Sequence, residues 1–212
     1  MPARPRLRAW LIWAGVVLVL VTPLIFAAAS PLLAWRQPIY IAAGAAGVLG
    51  LSLIALQPLL IGGYLPGLGR ARRLHAWIGG ALVAAILVHL AGLWITSPPD
   101  VIDALLFRSP APFAPWGVIA MWAALLAAGL AVFRMRLSPK TWRLAHSALV
   151  SVVVVGTVLH AVLIEGTMEQ VTKVLVSLFA LALLARVIAD FRVWRLLRVR
   201  TTRSRAGRRD AG

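Results

Sequence analysis

The stretch from Arg72 to Gly92 reads RRLHAWIGGALVAAILVHLAG and is long and apolar enough to cross a membrane once. His75 and His89 lie near its two ends. Fourteen steps along an α-helix turn the chain by about 1400°, some 40° short of four full turns, and raise it by about 21 Å. A helix here would therefore point both imidazoles in nearly the same direction, one near each face of the bilayer.

A second stretch, from Trp142 to Glu165, repeats this arrangement with His146 and His160 at the same spacing. The chain has 4 histidines, so the two stretches hold all of them. Two such helices side by side can hold two metal centres stacked across the membrane. We interpret the repeated spacing as a path for electrons through the bilayer.

The composition fixes the broad class of protein. Of the 212 residues, 61% are hydrophobic and 13% are charged, which is too apolar for a soluble domain of this size. The absence of cysteine excludes disulfides, thiolate-bound iron–sulfur clusters and cysteine zinc sites, so histidine is the strongest transition-metal ligand left. The net charge of +16 does not indicate nucleic acid as a partner, because the basic residues flank apolar spans and orient them in the lipid bilayer.

Apolar runs and their charged or proline-rich boundaries predict an all-α fold, a polytopic membrane protein with a six-helix transmembrane bundle. The expected spans are Trp10–Ala29, Ile39–Ile61, Leu74–Trp94, Trp116–Phe133, Trp142–Ile164 and Thr172–Trp194. Residues 1–194 would form this six-span domain. Residues 195–212 are basic without apolar periodicity, and we expect a disordered cytoplasmic tail there.

Alternate loops differ sharply in charge. One set of loops carries Arg70, Arg72, Arg73, Arg134, Arg136, Lys140 and Arg143, whereas the other carries Arg36, Arg108 and Lys173 beside Asp100, Asp103, Glu165 and Glu169. The positive-inside rule then predicts that both termini are cytoplasmic, in a membrane that we take to be the bacterial inner (plasma) membrane. The long loop Thr96–Pro115 would lie outside, with five prolines, too many for one continuous regular element.

The two histidine spans run in the same direction, from inside to outside. Parallel helices place residues of equal depth side by side, so the expected couples are His75 with His146 near the cytoplasm and His89 with His160 near the outer face. A single membrane histidine is often only a hydrogen-bonded bundle residue. Four histidines at matching spacing, face and depth instead favour haem ligation, which would make all four metal ligands.

A proton relay or a transition-metal path would also use membrane histidines, but such paths normally need carboxylates within the membrane. Asp190 is the one acidic residue in a predicted span, and Arg186 lies one helical turn away as its expected partner. The glycines Gly79, Gly80, Gly92 and Gly156 suit close approach to a flat macrocycle, although membrane helices also use glycine to pack. Arg72, Arg73 and Arg143 are candidates to hold haem propionates, and the positive-inside rule explains them equally well.

The segment Arg70-Ala71-Arg72-Arg73-Leu74-His75, with the spaced histidines that follow, resembles the ferric reductase-like transmembrane domain that is related to NADPH oxidase membrane domains. The resemblance covers spans two to six. It implies six helices and two b-type haems held between the third and fifth spans. It also implies electrons passed outward from a cytoplasmic flavin. The four histidines match the ligands of that family one for one.

The chain differs from the larger family members because it has no recognisable flavin or nicotinamide domain. Gly67-Leu68-Gly69 has an arginine, Arg72, where the third dinucleotide glycine would stand, and no strand is expected before it, so it does not fit a dinucleotide-binding turn. The resemblance therefore implies that flavin is reached only through a partner, a cytoplasmic flavoprotein reductase. The haem subunit of the methionine sulfoxide reductase system is similarly short but usually lacks a histidine at the position of His75.

Three functional hypotheses stay open on the sequence. The first is a di-haem b-type cytochrome, an oxidoreductase component that passes electrons from the flavin donor to an outer-face electron acceptor. The second is a quinol-oxidising membrane cytochrome b, or the haem subunit of a periplasmic reductase. The third is a membrane anchor or assembly factor whose histidines bind nothing, and it would lack the absorbance spectrum of a b-type haem.

The charge asymmetry makes a testable topology prediction. Reporter domains fused after residue 212 should be active only in the cytoplasm, and reporters inserted in Thr96–Pro115 only outside it. Activity of the C-terminal fusion in the periplasm would contradict this orientation.

Overall fold

The computed structural model describes residues 3–166 and 168–191; the predicted tail at 195–212 lies outside this part of the chain. Within it the regular structure is helical, without strands. The helices are α1 (Ala3–Ala28), α2 (Pro38–Ile61), α3 (Ala71–Thr96), α4 (Pro98–Leu105), α5 (Ala114–Val132), α6 (Pro139–Leu163) and α7 (Gln170–Asp190), with short 3-10 turns at Pro31–Leu33 and Arg134–Arg136.

Six of these helices, all but α4, are long and apolar enough to cross a membrane. The predicted fold class, an all-α integral membrane protein with a six-helix bundle, is confirmed. The helices mostly begin a few residues before the predicted spans, because prolines and capping residues stand just ahead of the apolar runs. The sixth span was predicted to reach Trp194, whereas α7 ends at Asp190; residues 192–194 lie outside the described part of the chain.

Local sequence explains where the helices start. Proline occupies the first turn of α2, α4, α5 and α6, where its missing N–H leaves no hydrogen bond unmade. Glu169 caps α7, because its two carboxylate oxygens accept hydrogen bonds from the backbone N–H groups of Val171 and Thr172, each at 2.8 Å. These bonds favour the ionised carboxylate and hold the pKa of Glu169 below its usual value.

The proline-rich loop Thr96–Pro115 contains a helix that the sequence analysis did not predict. Pro98 and Pro99 form the first turn of α4, and Asp100 follows them in that turn, where a carboxylate interacts favourably with the helix dipole. The remaining prolines lie beyond α4, so the loop is indeed not one continuous element. The loop therefore consists of a short helix and a turn that joins α3 to α5.

Helix α2 lies at the centre of the bundle and packs against α1, α3 and α7. Its residues Ala43 and Ala55 are fully buried. The main apolar core forms where α2 meets α6 and α7, and it includes Ile54, Val154 and Ala180. Lipid offers helices no hydrophobic driving force to associate, so close packing of small residues supplies much of their attraction.

Two antiparallel hairpins, α2–α3 and α5–α6, have the closest packing of any helix pairs. In the first, a Cβ added to Gly92 would lie 2.7 Å from the Cβ of Ala43. In the second, a Cβ added to Gly156 would lie 3.1 Å from the Cβ of Ala120. At Gly92 a Cβ could not be added without a shift of the helices, and at Gly156 it would be tighter than an ordinary contact, so both glycines allow the close packing of their hairpins. Gly92 and Gly156 therefore serve helix packing, the second of the two roles considered from the sequence.

Polar contacts tie α1 and α7 to the loop between α2 and α3. The Trp13 indole N–H donates to the Pro66 carbonyl at 3.2 Å, and the Tyr64 hydroxyl donates to Asp190 Oδ2 at 2.6 Å. Arg186 Nε lies 3.1 Å from the same carboxylate oxygen, which confirms the predicted ion pair. Partial burial, together with the bond to Asp190, raises the pKa of Tyr64. We call this end of the bundle, which also holds the arginines of the α2–α3 and α5–α6 connections, the basic end.

Tyr64→Phe should remove the bond to Asp190 and lower the free energy of unfolding by about 0.5–1 kcal/mol, a modest loss because the contact is partly exposed to solvent. The measurement is the thermal unfolding midpoint of the purified protein in detergent, followed by circular dichroism. The matched control is Tyr40→Phe, at the other tyrosine, whose ring packs under Arg36 and keeps that contact as phenylalanine. Equal midpoints for the two variants would contradict a stabilising role for the Tyr64 hydroxyl.

Candidate functional site

The structure brings the four histidines together in the two couples expected from their depth. The rings of His75 and His146 have centroids 6.4 Å apart, and those of His89 and His160 have centroids 6.5 Å apart. The ring planes cross at 75° in the first couple and 82° in the second. Helices α3 and α6 therefore run parallel and face each other across two imidazole pairs that have nearly the same ring separation and ring angle.

Backbone carbonyls of the hairpin partners hold the rings of His89 and His160. The Nδ1–H of His89 donates to the Ala43 carbonyl of α2 at 2.8 Å. The Nδ1–H of His160 donates to the Phe113 carbonyl at the start of α5 at 2.9 Å. Because a carbonyl can only accept, these bonds fix the tautomer and leave Nε2 of each ring unprotonated. An unprotonated ring nitrogen is the form of histidine that binds a metal ion.

Two glycines that the sequence analysis missed allow these bonds to form. A Cβ added to Gly47 would lie 3.0 Å from Nδ1 of His89, and one added to Gly117 would lie 2.6 Å from Nδ1 of His160. Each glycine follows the accepting residue by one helical turn. Any larger residue would push the ring away from the helix backbone, so Gly47 and Gly117 are part of the site.

The rings of His75 and His146 have different surroundings. Nδ1 of each is buried, and within the described residues neither has a hydrogen-bond partner. The Gln57 backbone lies beside His75, but the geometry does not close a hydrogen bond. Trp142 stacks on His146, with ring centroids 4.6 Å apart and planes at 23°. Aromatic packing therefore restrains His146 where a hydrogen bond restrains the rings of the other pair.

The two hairpins are an internal repeat. His146 and His160 follow His75 and His89 by 71 residues. Phe113 follows Ala43 by 70 residues, as Gly117 follows Gly47, so the accepting carbonyl and its glycine are repeated as well. The segment Gly47-Val48-Leu49-Gly50 in α2 corresponds to Gly117-Val118-Ile119-Ala120 in α5. Parallel repeats of this kind are related by an axis along the membrane normal.

Two of the three candidate arginines, Arg72 and Arg73, are exposed and line one cavity of about 400 Å³ at the basic end, together with Arg70. Two helical steps place Arg73 about 200° around α3 from His75, on the far side of the helix. Arg143 lies three residues before His146, and Arg72 lies three residues before His75. The internal repeat therefore makes Arg72, and not Arg73, the counterpart of Arg143.

The other two glycines of the sequence analysis do not contact the imidazoles. A Cβ added to Gly79 would reach the Gln57 amide at 3.4 Å, and one added to Gly80 would meet nothing within 4 Å.

Each histidine pair brings two imidazole rings within 6.4–6.5 Å of each other, measured between centroids. Within the described residues, no group of three or more histidines, cysteines or carboxylates could hold a metal ion. Each pair therefore offers at most two nitrogen ligands. No protein-family model, curated protein or solved structure matches this chain. The geometry of the two pairs is therefore the main guide to function.

Proposed function

We propose that the chain is a di-haem b-type membrane cytochrome that carries electrons across the bilayer. The observation that carries this proposal is the pair of facing imidazoles at two depths of one bundle, with centroids 6.4 and 6.5 Å apart. Helix rise separates the two depths by about 21 Å. His75 and His146 would hold one haem, and His89 and His160 the other.

The ring separations fit a metal ion between the rings. A nitrogen of a five-membered ring lies about 1.1 Å from the ring centroid, given bond lengths near 1.33 Å. A metal–imidazole bond is about 2.0–2.1 Å long, the value for zinc. Two imidazoles on opposite sides of one ion would have centroids about 6.2–6.4 Å apart. Both pairs lie within a few tenths of an ångström of this distance.

The donor set supports haem over a bare metal ion. A structural zinc site is almost always closed by four protein ligands, whereas each pair here offers two. A haem has nitrogen ligands of its own, so the two imidazoles of each pair would be enough to hold it. When bound, it supplies one-electron chemistry, and histidine on both sides leaves no open position for oxygen or substrate. The residues of this chain would orient the group, exclude water and set its potential.

The orientation of this path follows from charge. We place the basic end in the cytoplasm, with both termini, and the α4 end outside, in the bacterial inner membrane. The donor would be a cytoplasmic flavoprotein, since no flavin-binding motif is recognised in the chain. The acceptor would lie at the outer face. This assignment makes the chain a ferric reductase-like oxidoreductase component, in line with the resemblance carried by the Arg70–His75 segment and the histidine spacing.

Two haems per chain are the first expected result. Pyridine haemochrome analysis of the purified protein should give about two b-type haems per polypeptide. A ratio near one would mean that only one pair binds, and the absence of haem would exclude the proposed function. The His89→Ala and His160→Ala variants should each lose one haem and keep the other. The His89 and His160 variants should lose the haem held by that pair, and His75→Ala and His146→Ala should lose the other haem. The four variants therefore serve as controls for one another.

The second expected result concerns the donor. The basic end suits docking of an acidic flavoprotein, because complementary charge speeds encounter. In proteoliposomes with this end outward, NADH and a flavin reductase should reduce the haem. Neutralising Arg134, Arg136 and Lys140 together should slow reduction by about tenfold at low salt, and raised salt should slow the wild type in the same way.

The matched control neutralises Arg36 and Arg108, which belong to the opposite end and should leave the rate unchanged. Fast reduction by a quinol alone, with no dependence on salt, would contradict flavoprotein docking and favour a quinol-oxidising cytochrome b.

A further inference from the structure

The two histidine pairs differ at their second ring nitrogen. Nδ1 of His89 and of His160 each donates to a backbone carbonyl, at 2.8 and 2.9 Å. Nδ1 of His75 and of His146 is buried without a partner among the described residues. The two pairs are therefore unlike each other at Nδ1, although the Gln57 backbone lies beside His75 and Trp142 stacks on His146.

The sequence differs at the two depths in the same way. One helical turn beyond the accepting residues Ala43 and Phe113, the chain has Gly47 and Gly117, and the rings approach the backbone over these glycines. Fourteen residues further along the same two helices, the corresponding positions are Ile61 and Ala131, which carry side chains. The rings that donate to a carbonyl are therefore the ones beside positions that lack a Cβ.

A hydrogen bond from Nδ1 changes the chemistry of the ring. Donation to a carbonyl raises the basicity of a metal-bound imidazole and strengthens its bond to the oxidised metal. Hydrogen bonding to the ligands and charge around the site are among the factors by which proteins set haem potential. The stacked Trp142 restrains His146 without any such bond. With hydrogen bonds from both Nδ1 atoms, the His89–His160 pair would stabilise the oxidised form of a bound haem more strongly than the His75–His146 pair would.

The distribution of charge acts in the same direction. The His75–His146 pair lies toward the basic end, near Arg72 and Arg143, and positive charge favours the reduced state, which carries one positive charge fewer. At the opposite end, four acidic residues stand beside three basic ones, of which Lys173 is buried: Asp100, Asp103, Glu165 and Glu169, with Arg36, Arg108 and Lys173. The Lys173 ammonium donates to the Ile164 carbonyl at 2.8 Å, so its charge is partly offset where α6 ends.

We propose that the His75–His146 centre has the higher midpoint potential, so that a single electron shared between the two centres lies there at equilibrium. This inference rests on the proposed function, since it requires haem at both pairs. The exchange moves one electron from the reduced His89–His160 centre to the oxidised His75–His146 centre, and no bond is formed or broken. Passage of electrons toward the α4 end is therefore uphill within the protein. It is driven by the inside-negative membrane potential or by a strongly oxidising acceptor.

The test is a mediated redox titration of the purified holoprotein, followed by the absorbance of the reduced haems. The wild type should titrate in two waves. Gly117→Ala should push His160 off its carbonyl and raise the potential of the lower wave. The shift should be up to about tenfold in the redox equilibrium, which is about 59 mV for one electron. The matched control is Gly129→Ala on the same helix, where an added Cβ meets nothing within 4 Å.

A second pair of variants keeps the test decisive if Gly117→Ala loses its haem. Gly47→Ala is milder, because its Cβ would lie 3.0 Å from His89 and not 2.6 Å, and Gly44→Ala is its control in open space. Movement of the lower wave alone supports the proposal. Movement of the upper wave, or unchanged waves in both glycine variants, overturns the proposed order of potentials. Neither result contradicts the binding of two haems. Absence of haem from the wild type contradicts the proposed function itself, so the two failures are distinguishable.

Discussion

A neutral imidazole has one donor and one acceptor nitrogen, and the interior of a membrane offers no water to satisfy either. At His89 and His160 the Nδ1–H donates to a backbone carbonyl of the neighbouring antiparallel helix. The acceptor nitrogen, Nε2, is then left available for another partner. The bond needs a helix backbone that the ring can touch, and Gly47 and Gly117 provide it. This requirement accounts for the identity of two residues outside the histidine helices, Gly47 and Gly117, and it is compatible only with close approach of each histidine to the neighbouring helix.

The hairpins, and not the pair of histidine helices, are the packing units of the bundle. Helix α3 packs chiefly on α2, and α6 chiefly on α5, whereas α3 and α6 meet mainly through their imidazoles. Gly92 against Ala43 and Gly156 against Ala120 set the two registers. Since lipid gives apolar helices no reason to close on each other, small-residue contacts of this kind must hold the arrangement. Because each hairpin is held by its own small-residue contacts, α3 and α6 need not pack tightly on each other for the bundle to be stable.

The sequence allowed prediction of those features that depend on one helix at a time. Apolar length gave the six spans, and fourteen-residue spacing gave the matching faces of His75 and His89, because helix geometry is local. Gly47 was missed because its role depends on the register of α2 against α3, and no pattern within α2 states that register. Helix α4 was missed because its prolines were treated only as breakers, although proline is favoured in the first turn of a helix.

The arginines near His75 show a further limit of arguing from closeness in sequence. Arg72, Arg73 and Arg143 were all candidates to hold a bound group, and Arg72 and Arg73 line the same cavity at the basic end. Helix geometry puts Arg73 about 200° around α3 from His75. In the internal repeat, Arg72 stands at the position that matches Arg143. Comparison of the two hairpins thus gives information that neither hairpin carries alone.

The internal repeat of the two hairpins also bears on the difference between the two histidine pairs. A two-fold relation along the membrane normal makes the two ligands of each pair equivalent, but it does not relate one depth of the membrane to the other. Each hairpin has a glycine, Gly47 or Gly117, beside one of its histidines and a residue with a side chain, Ile61 or Ala131, fourteen positions further along the same helix. The same change therefore occurs in both hairpins. Both rings at one depth donate to a carbonyl, whereas neither Nδ1 at the other depth has a partner among the described residues. A repeated hairpin of this kind gives two matched imidazoles at each depth and two pairs that differ from each other.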